Sequence, residues 1–262
     1  MEYTEEKARE LVIEAGHKLA EKKLIARTWG NISARISERE FIITPSGIAY
    51  DVLKPENLVK VTIADLSYEG ELKPSSEKGV HAAAYELRPE AGFVIHTHQT
   101  YASAICAAGE DTPFAPCAAY GLPGTKKLKE NTAASIERNP DCKTFLMARH
   151  GALCIGTDFE EAFALADELE EKCRELFVSK VDPWKIRSCF KPYLDDFAQI
   201  VGPFEHKKEN VKSDDPEAVA MIFHKNCLAA AYASAAGPMN PGDSMLQRAV
   251  YMLKYSKQKN KV

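Results

Sequence analysis

The chain has 262 residues, of which 34 are basic and 38 acidic, so its formal net charge is −4 at pH 7. This length suffices for a sizeable core, built as one large domain or as a domain with an extension. The near balance of charge argues against a nucleic-acid ligand, and no apolar run is long enough to span a bilayer. Seven scattered cysteines without a CxxC pair, and an acidic start without a signal-peptide core, predict a cytoplasmic protein with reduced thiols.

Hydrophobic spacing in the first part of the chain alternates between helix and strand periods. The predicted elements are a helix over 5–24, strands over 41–43 and 59–63, a helix over 76–87 and a strand over 93–98. Thr4 is suited to cap the first helix. A hairpin turn is predicted around Glu69 and Gly70, after the second strand.

The same alternation continues in the second part. The predicted elements are a helix through Tyr101, Ile105 and Ala108, an irregular stretch over 115–124, a helix over 127–137, strands over 144–147 and 152–155, and a helix that Asp158 caps and that runs to about 179. Strands and helices therefore interleave. Together with the short polar turns, this favours a mixed or antiparallel sheet between helices.

The last eighty residues have a different character. A polar stretch over 205–215 precedes two predicted helices, one over 216–236 and one that Asp243 caps. We therefore divide the chain into a core of residues 1–180 and a helical C-terminal extension of residues 181–262.

Two histidines end the strand Phe93–His98. Alternate residues on a strand point to the same face, so His96 and His98 would project together from its end. Two neutral imidazoles in that arrangement can bind one metal ion, and a third would complete an open catalytic site. The alternative is an exposed HxH sequence without a ligand role. His150, in a tight turn between two apolar segments, is the candidate for the third imidazole.

Glu77 follows Ser75 and Ser76 at the start of a predicted helix. A carboxylate there is commonly no more than a favourable partner of the helix dipole. The two hydroxyls and the free backbone N–H groups of the same turn, however, attract phosphate. The turns Gly30-Asn31 and Ser46-Gly47 are further small or polar elements of the kind that surround an anion, although such residues are common in turns.

Five segments, in this order along the chain, resemble one family. They are Gly30-Asn31-Ile32-Ser33, Thr44-Pro45-Ser46-Gly47, Pro74-Ser75-Ser76-Glu77, His96-Thr97-His98 and Arg149-His150-Gly151. The resemblance is to the class II aldolase/adducin family, in particular to its zinc-dependent L-fuculose-phosphate aldolases. It covers roughly residues 5–180 and implies a three-layer α/β/α sandwich around a mainly antiparallel sheet, assembled as a homotetramer.

The resemblance also implies roles for single residues. His96, His98 and His150 would bind Zn²⁺, with Mn²⁺ or Co²⁺ as alternatives. Glu77 would be the catalytic acid/base and could ligate the metal when no substrate is bound. The positions that match the family's phosphate-binding segment are Gly30, Asn31, Ser46, Gly47, Ser75 and Ser76.

The implied reaction is the cleavage of a phosphorylated ketose, similar to L-fuculose 1-phosphate, to dihydroxyacetone phosphate and a short aldehyde through a metal-stabilised enediolate. Two related reactions stay open, a methylthioribulose-1-phosphate type of dehydration and a pentulose-phosphate 4-epimerisation. Glu77 favours aldolase over epimerase, since the family's epimerases carry Asp after the two serines. A non-catalytic adducin-like module is disfavoured because the histidine triad is intact.

The chain departs from the fuculose-phosphate pattern in two places. The segment between His98 and His150 is short where the family places a tyrosine proton donor, so Tyr120 is an unaligned candidate for that role. The C-terminal extension is long, and in the family the tail can reach a neighbouring active site. Tyrosines that could act from there are Tyr232, Tyr251 and Tyr255.

Overall fold

The structure is a computed structural model that describes residues 2–22, 24–25, 30–106, 111–121, 123–148 and 150–180. The chain divides into a compact unit of Met1–Lys172 and a second unit of Cys173–Val262. The predicted C-terminal extension, with its linker and tyrosines, lies outside the described residues.

The described part contains the helices that the sequence predicts. They are α1 (Glu5–Glu21), α2 (Lys78–Leu87), α3 (Thr100–Cys106), α4 (Lys126–Arg138) and α5 (Phe159–Lys180). Thr4 caps α1 as predicted, because its hydroxyl accepts a hydrogen bond from the backbone N–H of Lys7 at 3.2 Å. Asp158 caps α5 in the same way, through the N–H of Glu161 at 2.9 Å. None of these helices is long and apolar enough to cross a membrane.

Within the residues that the structure describes, seven strands form a single sheet. They are β1 (Asn31–Arg35), β2 (Glu40–Ile43), β3 (Val59–Thr62), β4 (Phe93–Thr97), β5 (Cys117–Ala118), β6 (Thr144–Met147) and β7 (Gly151–Gly156). Their order across the sheet is β3-β2-β1-β4-β7-β6-β5. The β5–β6 pair is parallel and the other five pairs are antiparallel. The expected mainly antiparallel sheet is confirmed.

Helices cover both faces of this sheet. On one face Ser33 of β1 contacts His81 and Tyr85 of α2, and α2 lies against α4. On the other face the ring of Phe93 packs edge-on against Phe159 of α5, with the ring centroids 5.5 Å apart. Helix α1 lies on this second face too, since Lys18 Nζ is 4.6 Å from the centre of the Phe159 ring. The three-layer α/β/α sandwich is therefore confirmed.

The structure differs from the sequence analysis in three places. Strand β1 was not predicted, although every one of its residues is buried. Strand β5 lies inside the stretch 115–124 that was predicted to be irregular. The turn after β3 comes earlier than Glu69-Gly70, since Tyr68 already pairs back onto Val61. The reversal is made by Leu66, whose φ of +61° is unusual for a side-chain-bearing residue and is not signalled by Gly or Asn.

Gly151 is required by the close approach of β7 to β4. A Cβ atom at this position would overlap the carbonyl oxygen of Thr97 and lie 3.0 Å from Cε1 of His96. Backbone cannot move aside as a flexible side chain does, so β7 would have to shift.

We predict that Gly151→Ala lowers the free energy of unfolding by about 1–3 kcal/mol, the usual cost of overpacking. The measurement is urea denaturation followed by circular dichroism. Gly79→Ala is the matched control, because its Cβ would meet side chains and no backbone, the nearest atom being Cδ of the flexible Lys129 at 3.3 Å, and alanine favours the helix. Equal stability of the two variants would contradict the prediction.

Candidate functional site

The three histidines of the sequence motifs converge at one end of the central strands. His96 is the fourth residue of β4 and pairs with Leu153 of β7 on one side. His98 follows the end of β4, and His150 immediately precedes β7. Because β4 and β7 are antiparallel neighbours, the end of one strand and the start of the other meet. His96 and His150 are buried, and His98 is partly exposed.

The reactive nitrogens of these rings are in contact. Nε2 of His96 lies 3.1 Å from Nε2 of His98 and 3.0 Å from Nε2 of His150. Nδ1 of His96 is 2.8 Å from the carbonyl oxygen of Ala152, to which it donates its proton. In the neutral ring this leaves Nε2 with a bare lone pair that points at the other two imidazoles.

The donor set fits a divalent metal ion. Two nitrogens that are each about 2.0–2.1 Å from one Zn²⁺ lie roughly 3.0–3.4 Å apart, which is the separation found around His96. One shared proton could satisfy only one of the two contacts that Nε2 of His96 makes with the other imidazoles, whereas a cation bound between the rings satisfies both contacts. The backbone carbonyl on Nδ1 is the kind of partner that fixes the tautomer of a metal-binding histidine. Within the described residues His96, His98 and His150 are a group able to bind a metal.

Glu77 lies directly beside this cluster, at the N-terminal end of α2. Its Oε1 is 2.9 Å from Nε2 of His150, and its Oε2 is 3.1 Å from Nε2 of His96. Burial by itself would raise the pKa of Glu77, but positive charge at His96 and His150 outweighs burial and lowers the pKa. A metal ion bound by the neutral imidazoles would place a positive charge at the same position and act in the same direction. The carboxylate is therefore ionised and adjoins the position that a metal would occupy.

Strand β1 brings Asn31 to the same place, because Asn31 pairs with His96 across the sheet. Its side-chain Nδ2 donates a hydrogen bond to Oε2 of Glu77 at 2.9 Å. The preceding Gly30 has a φ of +94°, and a Cβ there would lie 2.7 Å from the carbonyl oxygen of His96. Only glycine allows the chain to enter β1 so close to β4.

The segments expected to bind phosphate lie side by side. Pro45 and Pro74 form an isolated antiparallel bridge, and the N–H of Ser75 donates to the carbonyl oxygen of Thr44 at 3.0 Å. The buried Ser75 accepts a hydrogen bond from the N–H of Glu77 at 3.2 Å, so it also supports the turn that carries the carboxylate.

The remaining positions of this group differ in exposure. Ser46, Gly47 and Ser76 are exposed, whereas Asn31 is buried and its amide is bonded to Glu77 and to His81. The structure thus joins Asn31 and Ser75 to Glu77 and leaves the exposed positions on the adjoining surface.

His81 is a residue near the site that the sequence reasoning assigned only to a helix. It is fully buried, with Nε2 2.5 Å from Oδ1 of Asn31 and Nδ1 2.6 Å from Oγ of Ser33. Burial is the largest cause that lowers the pKa of His81, to about 3, so the ring is neutral at pH 7. Its spacing of four residues from Glu77 was the available signal, since residues four apart share one face of a helix.

The contacts of the histidine cluster and Glu77 described above do not include the tyrosine proton donor that the family resemblance implies. For Tyr120 the described hydrogen bond is that of its backbone carbonyl, which accepts from Nδ2 of Asn131 at 2.6 Å. Arg149 of the third-histidine motif lies outside the described residues.

The chain is similar to known sugar-phosphate enzymes. It is 34% identical over 215 residues to a 5-deoxy-D-ribulose 1-phosphate aldolase of Bacillus thuringiensis, covering 76% of this chain and 96% of the relative. It is 31% identical over 196 residues to an L-ribulose-5-phosphate 4-epimerase of Salmonella paratyphi B, covering 67% of this chain and 86% of the relative.

A solved structure of an L-fuculose 1-phosphate aldolase superimposes with a TM-score of 0.60 at 26% identity, covering 83% of this chain and 96% of that one. The family model described as the class II aldolase and adducin N-terminal domain matches residues 10–177. The chain therefore belongs to the class II aldolase and adducin N-terminal domain family.

Proposed function

We propose that this protein is a metal-dependent aldolase that cleaves a ketose 1-phosphate to dihydroxyacetone phosphate and a short aldehyde. The observation that carries the proposal is a buried, ionised carboxylate, Glu77, within 3.1 Å of the nitrogens of a three-histidine cluster. In this proposal His96, His98 and His150 are the metal ligands, and Zn²⁺ is the metal, with Mn²⁺ and Co²⁺ as alternatives.

A divalent ion bound there would supply a Lewis acid that stabilises the enediolate left on the three-carbon fragment after the carbon–carbon bond breaks. Three neutral imidazoles add no negative charge, so such an ion would retain its full charge. The backbone carbonyl of Ala152 holds the ring of His96 in the orientation that this requires.

Glu77 would transfer the proton. In cleavage it returns a proton to the carbon of the three-carbon fragment, and in condensation it removes that proton. Its Oε2 already accepts a hydrogen bond from Asn31. Oε1 lies 2.9 Å from Nε2 of His150, and that nitrogen has no proton to donate once it binds a metal. Oε1 would then be the oxygen without a hydrogen-bond donor and the stronger base, so we assign the proton transfer to it.

We assign phosphate binding to the segments around Gly30, Ser46, Gly47, Ser75 and Ser76. Backbone N–H groups at the start of α2 and the serine hydroxyls are suitable donors for a phosphate. Phosphate bound there would hold the reacting carbon of the substrate next to the carboxylate of Glu77. The binding energy of the phosphate would thereby orient the substrate for the reaction. Asn31 is the member of this group whose side chain faces Glu77.

A 4-epimerase is the second candidate, supported by the 31% identity to the ribulose-phosphate epimerase. Such an epimerisation can use the same bond cleavage followed by re-addition of the aldehyde from the other face. Glu77 in place of Asp favours the aldolase. A dehydratase would use the same metal and phosphate positions, and the intact triad disfavours a non-catalytic adducin-like module.

The assembly and the second proton donor belong to the same proposal. A homotetramer would allow a tyrosine of a neighbouring subunit, such as Tyr232, Tyr251 or Tyr255, to act on the aldehyde oxygen, with Tyr120 as the alternative. In cleavage the tyrosine would take the proton of the substrate hydroxyl that becomes the aldehyde carbonyl, and in condensation it would give that proton back. A cytoplasmic location agrees with the reduced thiols of Cys142 and Cys154.

The proposal is tested by a cleavage screen. L-Fuculose 1-phosphate, 5-deoxy-D-ribulose 1-phosphate and L-ribulose 5-phosphate are each incubated with metal-loaded protein. We expect dihydroxyacetone phosphate from at least one 1-phosphate, detected with glycerol-3-phosphate dehydrogenase. Epimerised L-ribulose 5-phosphate without cleavage of either 1-phosphate would favour the epimerase, and no turnover of any of the three would contradict both readings.

The metal assignment makes its own prediction. Purified protein should contain about one divalent ion per chain, and His98→Ala should lower the bound metal because one of three ligands is lost. Inductively coupled plasma mass spectrometry measures the content after dialysis against a weak chelator. His17→Ala, a change at an exposed histidine of α1, is the control and should keep its metal. Equal metal content in both variants would remove His98 from the ligand set.

Glu77→Gln should keep the metal but lose the proton transfer, because an amide cannot accept the proton. We expect exchange of a C–H proton of dihydroxyacetone phosphate with solvent deuterium to slow by about 10²- to 10⁴-fold. Proton NMR follows the loss of the C–H signal. Glu86→Gln, an exposed carboxylate on the same helix, is the control. Undiminished exchange in Glu77→Gln would exclude the acid/base role.

A further inference from the structure

A buried chain of hydrogen bonds leads from Glu77 through β1 and α2 and away from the metal position. Its members, in order, are Glu77, Asn31, His81, Ser33 and Tyr85. The distances between successive polar atoms are 2.9, 2.5, 2.6 and 2.8 Å. Each member has less than 9% of its surface exposed, so water does not compete for these bonds.

The hydrogen bond from Asn31 to Glu77 determines the direction of every other bond in this chain. The amide nitrogen of Asn31 donates to Oε2 of Glu77, so the amide oxygen of Asn31 faces His81. That oxygen only accepts, so His81 carries its proton on Nε2. The neutral ring then accepts on Nδ1 from the hydroxyl of Ser33, and Ser33 accepts from Tyr85.

The far end of the chain is anchored in the core. The guanidinium of Arg35 lies 4.8 Å from the centre of the Tyr85 ring, and its Nη2 donates to the carbonyl oxygens of Tyr85 and Arg88 at 2.6 and 3.2 Å. Tyr85 therefore has little freedom to rotate. The geometry of the chain is imposed from the sheet and α2 and does not depend on the metal position.

We propose that His81 is a positioning residue that acts on Glu77 through Asn31. Without the N–H of His81, the amide of Asn31 could turn over and present its oxygen to the carboxylate, which would repel it. With that N–H in place only one amide orientation is satisfied, so Oε2 stays bonded to Asn31 and Oε1 stays beside Nε2 of His150, at the metal position. This inference rests on the acid/base role proposed for Glu77.

The tautomer of His81 tests the chain without any catalysis. Long-range ¹H–¹⁵N NMR spectra of protein labelled with ¹⁵N-histidine, recorded at pH 7, distinguish the two ring nitrogens. His81→Gln assigns the signal by its disappearance. We expect a neutral ring protonated at Nε2. A ring protonated at Nδ1 would overturn the proposal, whichever reaction the protein catalyses.

Two substitutions test the effect on Glu77. His81→Phe keeps a ring but removes both nitrogens, whereas His81→Gln keeps an N–H for Asn31 and an oxygen for Ser33. We expect His81→Phe to lower kcat for the deuterium exchange by about 10- to 100-fold, the range typical of supporting partners at such sites. KM should change less than kcat, because the exposed phosphate positions Ser46, Gly47 and Ser76 are untouched and the Asn31 side chain is bonded to Glu77. His81→Gln should recover most of the loss.

Thr132→Val is the control for a general disturbance of the core, since Thr132 is equally buried on α4 and lies outside this chain. It should leave the exchange rate unchanged. A rise in KM with unchanged kcat in His81→Phe, or equal losses in His81→Phe and Thr132→Val, would overturn the proposal.

A double substitution separates positioning from loss of structure. If His81 acts through Glu77, adding His81→Phe to Glu77→Gln should not slow the residual exchange further. An additional loss of the same size in both backgrounds would contradict the inference. Failure of the wild-type protein to exchange at all would instead contradict the proposed function, and the NMR result would then stand by itself.

Discussion

One buried nitrogen, Nε2 of His96, has two imidazole nitrogens and a carboxylate oxygen within 3.1 Å. Nε2 of His96 and the carboxylate oxygen both present lone pairs to this contact, because the proton of His96 is on its other nitrogen, bonded to the carbonyl of Ala152. Lone pairs crowded so closely repel one another unless a cation lies between them. This crowding connects the fold to the proposed chemistry, because helix α2 brings the carboxylate of Glu77 to the place where the strands hold the histidines.

The pairing of three central strands produces the crowding. Strand β4 carries His96 between β1 and β7, so Asn31 approaches from one neighbour and His150 precedes the other. Two glycines allow these strands to meet: Gly30 at the entry to β1 and Gly151 at the entry to β7. Helix α2 then adds Glu77 from its N-terminal end. A site made at the ends of paired strands is rigid, which suits a reaction that depends on orientation.

The histidine cluster could be anticipated from the sequence because its signal is local. His96 and His98 alternate on a strand, and His150 lies in a turn between two apolar runs, so the strand period alone brings two of the three together. The helices were predictable for the same reason, as Thr4 and Asp158 show by capping where expected.

What the sequence did not reveal depends on partners distant along the chain. Strand β1 carries Asn31, Ser33 and Arg35, which look like solvent-facing residues, yet all three are buried because His81, Glu77 and Tyr85 satisfy them. The role of His81 becomes visible only in the folded protein, where β1 lies against α2 and His81 contacts Asn31 and Ser33. Buried polar residues at a functional site interrupt the alternation of apolar and polar residues that predicts a strand. A prediction from hydrophobic pattern therefore does not detect the strand that carries them.

The most direct test of this account is X-ray absorption at the zinc edge of protein loaded with one equivalent of Zn²⁺. The account predicts three imidazole nitrogens at about 2.0–2.1 Å from the metal, with the remaining scatterers oxygen. Sulfur scattering at about 2.3 Å, which would place the metal on cysteine, or fewer than three imidazoles would contradict it.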